Sequence, residues 1–404
     1  MVVPTKPVII IGAGVVGLTL ANALKKASIP FHIYERDQHI SSRGQGWAIT
    51  LHWVLPFLRK LLSPKILDEI DSVQVDPNVA RLGTGNFVFI NLETLEPKFR
   101  IPPSERRRVN REKLRNVLLQ EVSDCVHWGK RLATIEDVDG GVVAVFDDGT
   151  RVEGAIIVGA EGSNSCTRKF VAPDTYRNTR LPVRFVGCSV DLTPEQVKPL
   201  KEIDPLLFQG CHPTSGNFLW VSLLETAEAN GTKGTNRETC RMQINISWLM
   251  KSPADEVKPT DAERLAEMKR RAEDFHQVLR DAVHAIPDGS EVIEIVLQDW
   301  PCLEWDNHGG KVTLAGDAAH AMTMYRGEAA NHGILDAYSL WEALDGVYNK
   351  GMDLEESIAG YEAELRERTR TAVLLSRQAC LDAHDWFGLN EGSAVLKRRA
   401  IRDV

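Results

Sequence analysis

The sequence predicts an α/β fold: a Rossmann-like domain on a parallel sheet, a second domain on a mainly antiparallel β-sheet, and a C-terminal helical tail. Three observations carry that expectation. A β-branched run, Val8 to Ile11, passes at once into the turn Gly12-Ala13-Gly14-Val15-Val16-Gly17 and then into a segment of helical periodicity. From about Arg177 the texture changes to repeated β-rich segments. Late in the chain a second strand ends in Gly316-Asp317 and is followed by helical stretches.

Taken in order, the uninterrupted apolar run at 8–11 has the pattern of a strand buried on both faces of a parallel sheet. Residues 15–26 place Val16, Leu20, Ala23 and Leu24 on one helical face, and 31–34 is the next strand, completing a βαβ unit. Segments 56–70 and 110–122 read as helices, and 86–100 and 142–153 as hairpins, the latter around Asp147-Asp148-Gly149. The short strand 155–159 returns to the parallel sheet. Strands at 184–191, 206–209, 218–224 and 240–249 form the antiparallel sheet, and 261–286 reads as one long amphipathic helix. Strands 292–297 and 312–315 follow, the second rejoining the first sheet, and 354–387 is helical. The domains expected are 1–80 with 105–176 and 298–345, then 81–104 with 177–297, and a helical tail 346–404.

A chain of 404 residues exceeds what one core usually organises. Its net charge of −8 gives no overall basic field, which argues against nucleic acid as partner. Seven cysteines with no C-x-x-C pair indicate neither a disulfide framework nor a zinc site, so a reducing compartment is expected. Residues 7–24 carry no formal charge, but Gly12, Gly14 and Gly17 interrupt them and no cleavage site follows. No membrane span is expected, and the protein is read as cytoplasmic or peripheral to an internal membrane. The oligomeric state leaves no signal.

The spacing Gly12, Gly14, Gly17 between a strand and a helix suits a dinucleotide. The first glycine makes the turn, the second admits the pyrophosphate, and the third lets helix and strand pack closely. The helix start offers free N–H groups and a positive dipole to phosphate. Glu35, at the end of the second strand, is placed to accept hydrogen bonds from a ribose and would repel a 2′-phosphate, which favours FAD or NAD over NADP at this site. At the other end of the chain, Val312-Thr-Leu-Ala-Gly316-Asp317-Ala-Ala-His320 and Gly327-Glu328-Ala329-Ala330-Asn331-His332-Gly333 bring an acidic side chain and a second helix start to the carboxyl edge of the same sheet.

Across nearly its full length the chain resembles the class A flavoprotein monooxygenases of the para-hydroxybenzoate hydroxylase fold, most specifically in these paired motifs. The resemblance implies FAD. Gly12, Gly14 and Gly17, with Val15 and Val16 between them, would hold its pyrophosphate, Glu35 and Arg36 the adenosine end, and Gly316-Asp317 the ribityl chain. Arg111 looks like the family arginine that contacts the cofactor, and Arg43 to Gly46 like the loop passing near the flavin. Glu161-Gly162, within Ala160 to Arg168, resembles the family's Asp-Gly motif, serving both FAD and nicotinamide nucleotide. Gly327, Ala329, Ala330 and Asn331 would lie at the flavin edge. The implied reaction reduces FAD with NADH or NADPH, forms a C4a-hydroperoxyflavin with O₂, and hydroxylates or epoxidises a hydrophobic or aromatic small molecule.

Three positions depart from the family pattern: Glu161 for aspartate, Met324 for proline, and Gly327-Glu328-Ala329 for Gly-Gln-Gly. They put oxygen activation in question more than FAD binding, and an FAD oxidase, dehydrogenase or cyclisation-guiding flavoprotein, or a non-catalytic flavin-binding protein, stays open. Tyr325 and Arg326 are the candidates for catalytic contacts, with ordinary loop residues the competing reading. His320 and His332 lack a third ligand for a metal and read as packing or capping residues. Trp220 and Trp248 could line a substrate cavity, although core packing is commoner for such side chains. The Arg106–Arg108 run reads as a solvated turn, and Arg366, Arg368 and Arg370 as the wet face of the tail helix.

Overall fold

The computed structural model describes residues 4–42, 46–82, 87–102 and 105–397. Strand Val8–Ile11 is fully buried and pairs in parallel with Phe31–Tyr34 on one side and Ile156–Gly159 on the other. Val126–His127 and Val312–Leu314 complete a five-stranded parallel sheet at its two edges. Helix Val15–Lys26 covers it, packed against the 22-residue helix Ala329–Lys350. Strands from the two ends of the chain thus share one sheet, which brings the Gly12 turn and the Gly316 turn to the same carboxyl edge.

The second sheet has seven strands in the order Ile293–Glu294, Val183–Leu192, Cys240–Leu249, Phe218–Glu225, Leu207–Cys211, Phe87–Asn91, Pro97–Ile101. All neighbours are antiparallel except Leu207–Cys211 with Phe87–Asn91. Its two faces differ in chemistry. Met242, Ile244, Ile246 and Trp248 alternate with Gln243, Asn245 and Ser247, so one face is apolar and the other polar. The apolar face packs beneath helices Pro194–Ile203, Asp261–Arg271 and Gln277–His284 in a separate core. Register places Gln209, Trp220, Asn245 and Gly187 in one row of the opposite face, which looks toward the parallel-sheet half.

Several elements differ from the expectation, each for a local reason. Helix 261–286 is broken in two, because the His276 N–H donates to the Leu92 carbonyl and its side chain accepts from the Val278 N–H, starting a new helix. Helix 56–70 is likewise two helices, the second starting at Pro64 with Ser63 as its cap. Strand 292–297 shrinks to two residues. Unforeseen are strand Leu132–Val138, beside the foreseen hairpin, and the ribbon of Ala48–Leu51 with Arg107–Asn110. Helix Pro194–Ile203 was also unforeseen, although its capping box of Thr193 and Gln196 stands in the sequence. The tail helix runs Leu354–Asp382. No described helix is long and apolar enough to cross a membrane, and the seven cysteines are unpaired.

Candidate active site

The Gly12 turn is built by contacts that exclude side chains. Gly12 has φ +106°, and a Cβ there would stand 2.6 Å from the Ala160 carbonyl oxygen. A Cβ on Gly17 would stand 2.1 Å from the Gly12 carbonyl oxygen, so helix and turn touch through backbone. Gly14 is different: it caps helix Val15–Lys26 at φ −81° and ψ −179°, with nothing within 4 Å of a Cβ. The protein leaves room at the one glycine where a pyrophosphate would approach the helix start.

Around it opens a cleft of about 310 Å³ whose walls include Gly12, Gly14, Glu35, Arg36, Arg111, Arg115, Glu161 and Gly162. Glu35 is buried and braces the turn itself, accepting the Ala13 N–H at 2.8 Å and the Asp37 N–H at 3.0 Å. Ionised carboxylates have further acceptor capacity, so a ribose hydroxyl remains compatible with this bracing. Arg115 is a member that sequence reasoning missed. Its Nε donates to the Ala13 carbonyl at 2.7 Å, and Nη2 stands 3.6 Å from Glu35 and 3.5 Å from Asp37. The signal was its place one helical turn beyond Arg111 on the same helix.

Glu161 Oε1 accepts from Ser165 Oγ and the Thr167 N–H, while Oε2 is buried with no partner among the described residues. The longer side chain therefore folds back to cap helix Cys166–Val171. Arg168, fully buried against Trp300, joins this turn to the distal motif: it donates to the carbonyls of Ser163, Asp317 and Ala318. Burial pushes its pKa down to about 10, with Glu161 and Asp317 opposing that shift.

The distal motif meets the first directly. A Cβ on Gly316 would lie 2.9 Å from Val16 Cγ2, and one on Gly333 2.5 Å from the same atom. Val16 is thus the contact between the two glycine turns, and Val15 packs beside it. Asp317 is exposed and opens onto a second cavity; desolvation by the protein around it raises its pKa, against the nearby charges of His320, Arg111 and Arg168. Arg111 therefore borders the first cleft while its charge acts on the second.

That second cavity, about 350 Å³, is walled by Trp47, Thr50, Arg108, Phe185, Trp220, Asn245, Asp317, Met324, Gly327, Ala329 and Ala330, among others. Gly327 is left-handed at φ +63° and ends the Met324–Arg326 turn. The start of helix Ala329–Lys350 then faces the cavity through Ala329 and Ala330. Asn331 is fully buried and clasps the neighbouring strand, accepting the His52 N–H at 3.0 Å and donating to the Thr50 carbonyl at 2.8 Å. Its side chain positions a wall of the cavity. Gly46 borders Trp47 with open space at its Cβ position, and Arg43 lies outside the described residues.

Other expectations require correction. Tyr325 is fully buried, its hydroxyl 2.8 Å from Ser247 Oγ, and Arg326 pairs with Glu328 at 2.6 Å while donating to the Ala394 carbonyl. Neither is among the cavity walls, because the turn aims both into the seam between the second sheet and the tail. Glu328 is likewise turned away and neutralised by its neighbour. Arg368 is no wet-face residue: it donates to Asp336 at 2.8 Å and contacts His332 at 3.0 Å. Asp336 also accepts from His320 at 2.6 Å and from the Gly316 N–H at 2.7 Å. Burial alone would raise the Asp336 pKa, but His320 and Arg368 hold it well below the usual carboxylate range. The two histidines thus serve to fix the Gly316 turn. Among the described residues no cluster is arranged to hold a metal ion.

Arg106–Arg108 is also no solvated turn: Arg107 and Arg108 begin a strand, and Arg108 is 4% exposed. Trp248 belongs to the apolar core, its indole N–H bound to the Asp255 carbonyl and its face under Arg271, whereas Trp220 walls the cavity.

These features, a glycine turn that leaves one open approach and an acidic turn packed on it beside an aromatic cavity, define a flavin-dependent monooxygenase of the class A fold. The chain belongs to the family described as FAD binding domain, which matches residues 5–376, and it is an FAD-dependent monooxygenase. The FAD-dependent monooxygenase dbaB of Emericella nidulans is 46% identical over 342 residues, 83% of this chain and 86% of its own. The FAD-dependent monooxygenase phnB of Penicillium herquei is 32% identical over 404 residues, covering 98% and 96%. A solved structure, 2,6-dihydroxypyridine-3-hydroxylase of Arthrobacter nicotinovorans, shares the fold with a TM-score of 0.77 over 100% of each chain at 18% identity.

Proposed function

We propose that this monooxygenase reduces its FAD with NADH or NADPH and uses O₂ to hydroxylate or epoxidise a hydrophobic or aromatic small molecule. The observation that carries the reading is the cavity of about 350 Å³, with indole and phenyl walls, opening onto Asp317 and the start of helix Ala329–Lys350. Its size and mixed lining suit a small aromatic ring system. A hydroxylated pyridine in the name of the structural neighbour above is in keeping with that class.

When bound, FAD supplies the redox and oxygen chemistry, so the chain need supply position, electrostatics and dryness. In this reading Gly12 to Gly17 and the helix start would bind the diphosphate, Glu35 and Arg36 the adenosine end, and Asp317 the ribityl arm, with Arg111 bordering the first cleft. The N–H groups at Ala329 and Ala330, at the start of helix Ala329–Lys350 on the cavity wall, would stabilise negative charge on a bound flavin. Glu328 was the sequence's main argument for a flavoprotein without oxygen transfer; its pairing with Arg326 removes that charge from the cavity wall.

The test is substrate-stimulated NAD(P)H oxidation by the yellow holoenzyme under ¹⁸O₂ with a panel of phenols and naphthols. One labelled oxygen atom per product supports the reading. Recovery of all consumed O₂ as peroxide, or substrate-driven bleaching without NAD(P)H, overturns it.

A further inference from the structure

Within the cavity wall the charges are few. Arg108 is the one cation and Asp317 the one carboxylate among the described lining residues. Arg108 reaches the wall from strand Arg107–Asn110, where it pairs with Thr50 across the ribbon. Nη1 donates to Thr50 Oγ1 at 2.8 Å, and Thr50 lines the same cavity. Nε and Nη2 have no hydrogen-bond partner among the described residues, although the side chain is 4% exposed.

A buried guanidinium with unused donors costs free energy unless an anion meets it. Asp204 favours the Arg108 charge from a distance, but its Oδ1 already accepts the Leu206 and Leu207 N–H groups. Burial, with repulsion from Arg106, moves the Arg108 pKa down to about 9, which leaves it cationic at neutral pH. Arg108 lines the cavity together with Gln243 and Asn245 of the second sheet's polar face, and the rest of the cavity is mostly apolar. A guanidinium fork in the wall of a cavity that also carries Trp47, Phe185 and Trp220 matches a planar ring carrying an anionic oxygen.

We propose that Arg108 is the anion anchor of the substrate cavity: the substrate is an aromatic molecule bearing a carboxylate or phenolate oxygen that docks on its guanidinium, which fixes the ring edge presented to the flavin. The assignment deepens the reading of the cavity as a substrate site and rests on it.

The test uses the FAD-loaded enzyme and equilibrium binding, read from flavin absorbance changes without NAD(P)H. The probes are 1-hydroxy-2-naphthoate against its methyl ester, for the carboxylate, and 4-nitro-1-naphthol against its methyl ether, for the phenolate. Wild type binds at least one anion roughly 10- to 100-fold tighter than its neutral partner, as a charge-assisted hydrogen bond requires. Arg108→Met abolishes that preference and leaves neutral-probe binding and FAD content unchanged, while Arg108→Lys keeps part of it. A purely structural Arg108 would weaken both members of a pair alike. Equal affinity for acid and neutral probes in wild type, unchanged preference in Arg108→Met, or loss of FAD with the preference intact each overturns the proposal. If Arg108→Met fails to fold, the wild-type comparison decides. Anion binding without oxygen transfer would sink the proposed reaction and leave the anchor standing.

Discussion

Gly14→Ala separates a glycine kept for the ligand from one kept for the protein. Its backbone angles, φ −81° and ψ −179°, suit alanine, and the added methyl meets nothing within 4 Å. Alanine is a poorer helix cap than glycine by up to about 1 kcal/mol, and the stiffer unfolded chain returns roughly 0.4–1 kcal/mol, so the apo-protein's stability changes little. With FAD the methyl stands where the diphosphate approaches the helix start. Losing one charge-assisted hydrogen bond there costs about 1.5–3 kcal/mol, roughly 10- to 100-fold in Kd. The assay is thermal unfolding of apo-protein beside FAD titration followed by flavin fluorescence. Gly17→Ala is the contrast: its Cβ would lie 2.1 Å from the Gly12 carbonyl oxygen, so both stability and FAD binding fall. Wild-type FAD affinity in Gly14→Ala would refute the assignment of this turn to the diphosphate.

Asn331→Ala strands the His52 N–H and the Thr50 carbonyl; we expect a loss of about 2–6 kcal/mol by denaturant melts, since each orphaned buried group costs roughly 1–3. Arg326→Met leaves Glu328 buried and unpaired and destabilises by about 3–5 kcal/mol, whereas Arg326→Met with Glu328→Gln recovers much of it; a double variant no better than the single would contradict the pair. His384 is buried between Ser247 Oγ and the Cys380 carbonyl, and burial lowers its pKa from 6.5 to about 4. The unfolded chain then takes up a proton below about pH 6.5 that the fold refuses until about pH 4. Stability is full above pH 6.5 and falls by about 3 kcal/mol across that window. A pH series of Tm values should show a flatter acid slope in His384→Gln, and an identical slope would contradict the assignment.

Much of the nucleotide half was legible because short-range rules govern it. A buried parallel strand, three glycines and an acidic residue leave few alternatives, and Val8–Ile11, Phe31–Tyr34 and Val312–Leu314 stand where periodicity put them. The alternation in Cys240–Leu249 was equally plain. What stayed hidden depends on distant partners. Arg368 sits among Glu and Arg residues that look solvated, and only Asp336 and His332 from another helix make it a buried clamp. Arg108 resembles a charged turn until its strand pairs with Ala48–Leu51. Tyr325 and Arg326 lie between two motif residues that face the site, but a 3₁₀ turn rotates them away from the cavity. Broken helices were missed where one tertiary hydrogen bond, His276 N–H to Leu92, outweighs a continuous apolar stripe.

The most direct measurement is a crystal structure of the enzyme with FAD. Its diphosphate is expected at the Gly14 end of helix Val15–Lys26, its ribityl hydroxyls within hydrogen-bond reach of Asp317, and its ring at the wall formed by Ala329 and Ala330. A flavin whose diphosphate lies away from Gly14, or whose ribityl arm does not reach Asp317, would contradict the account.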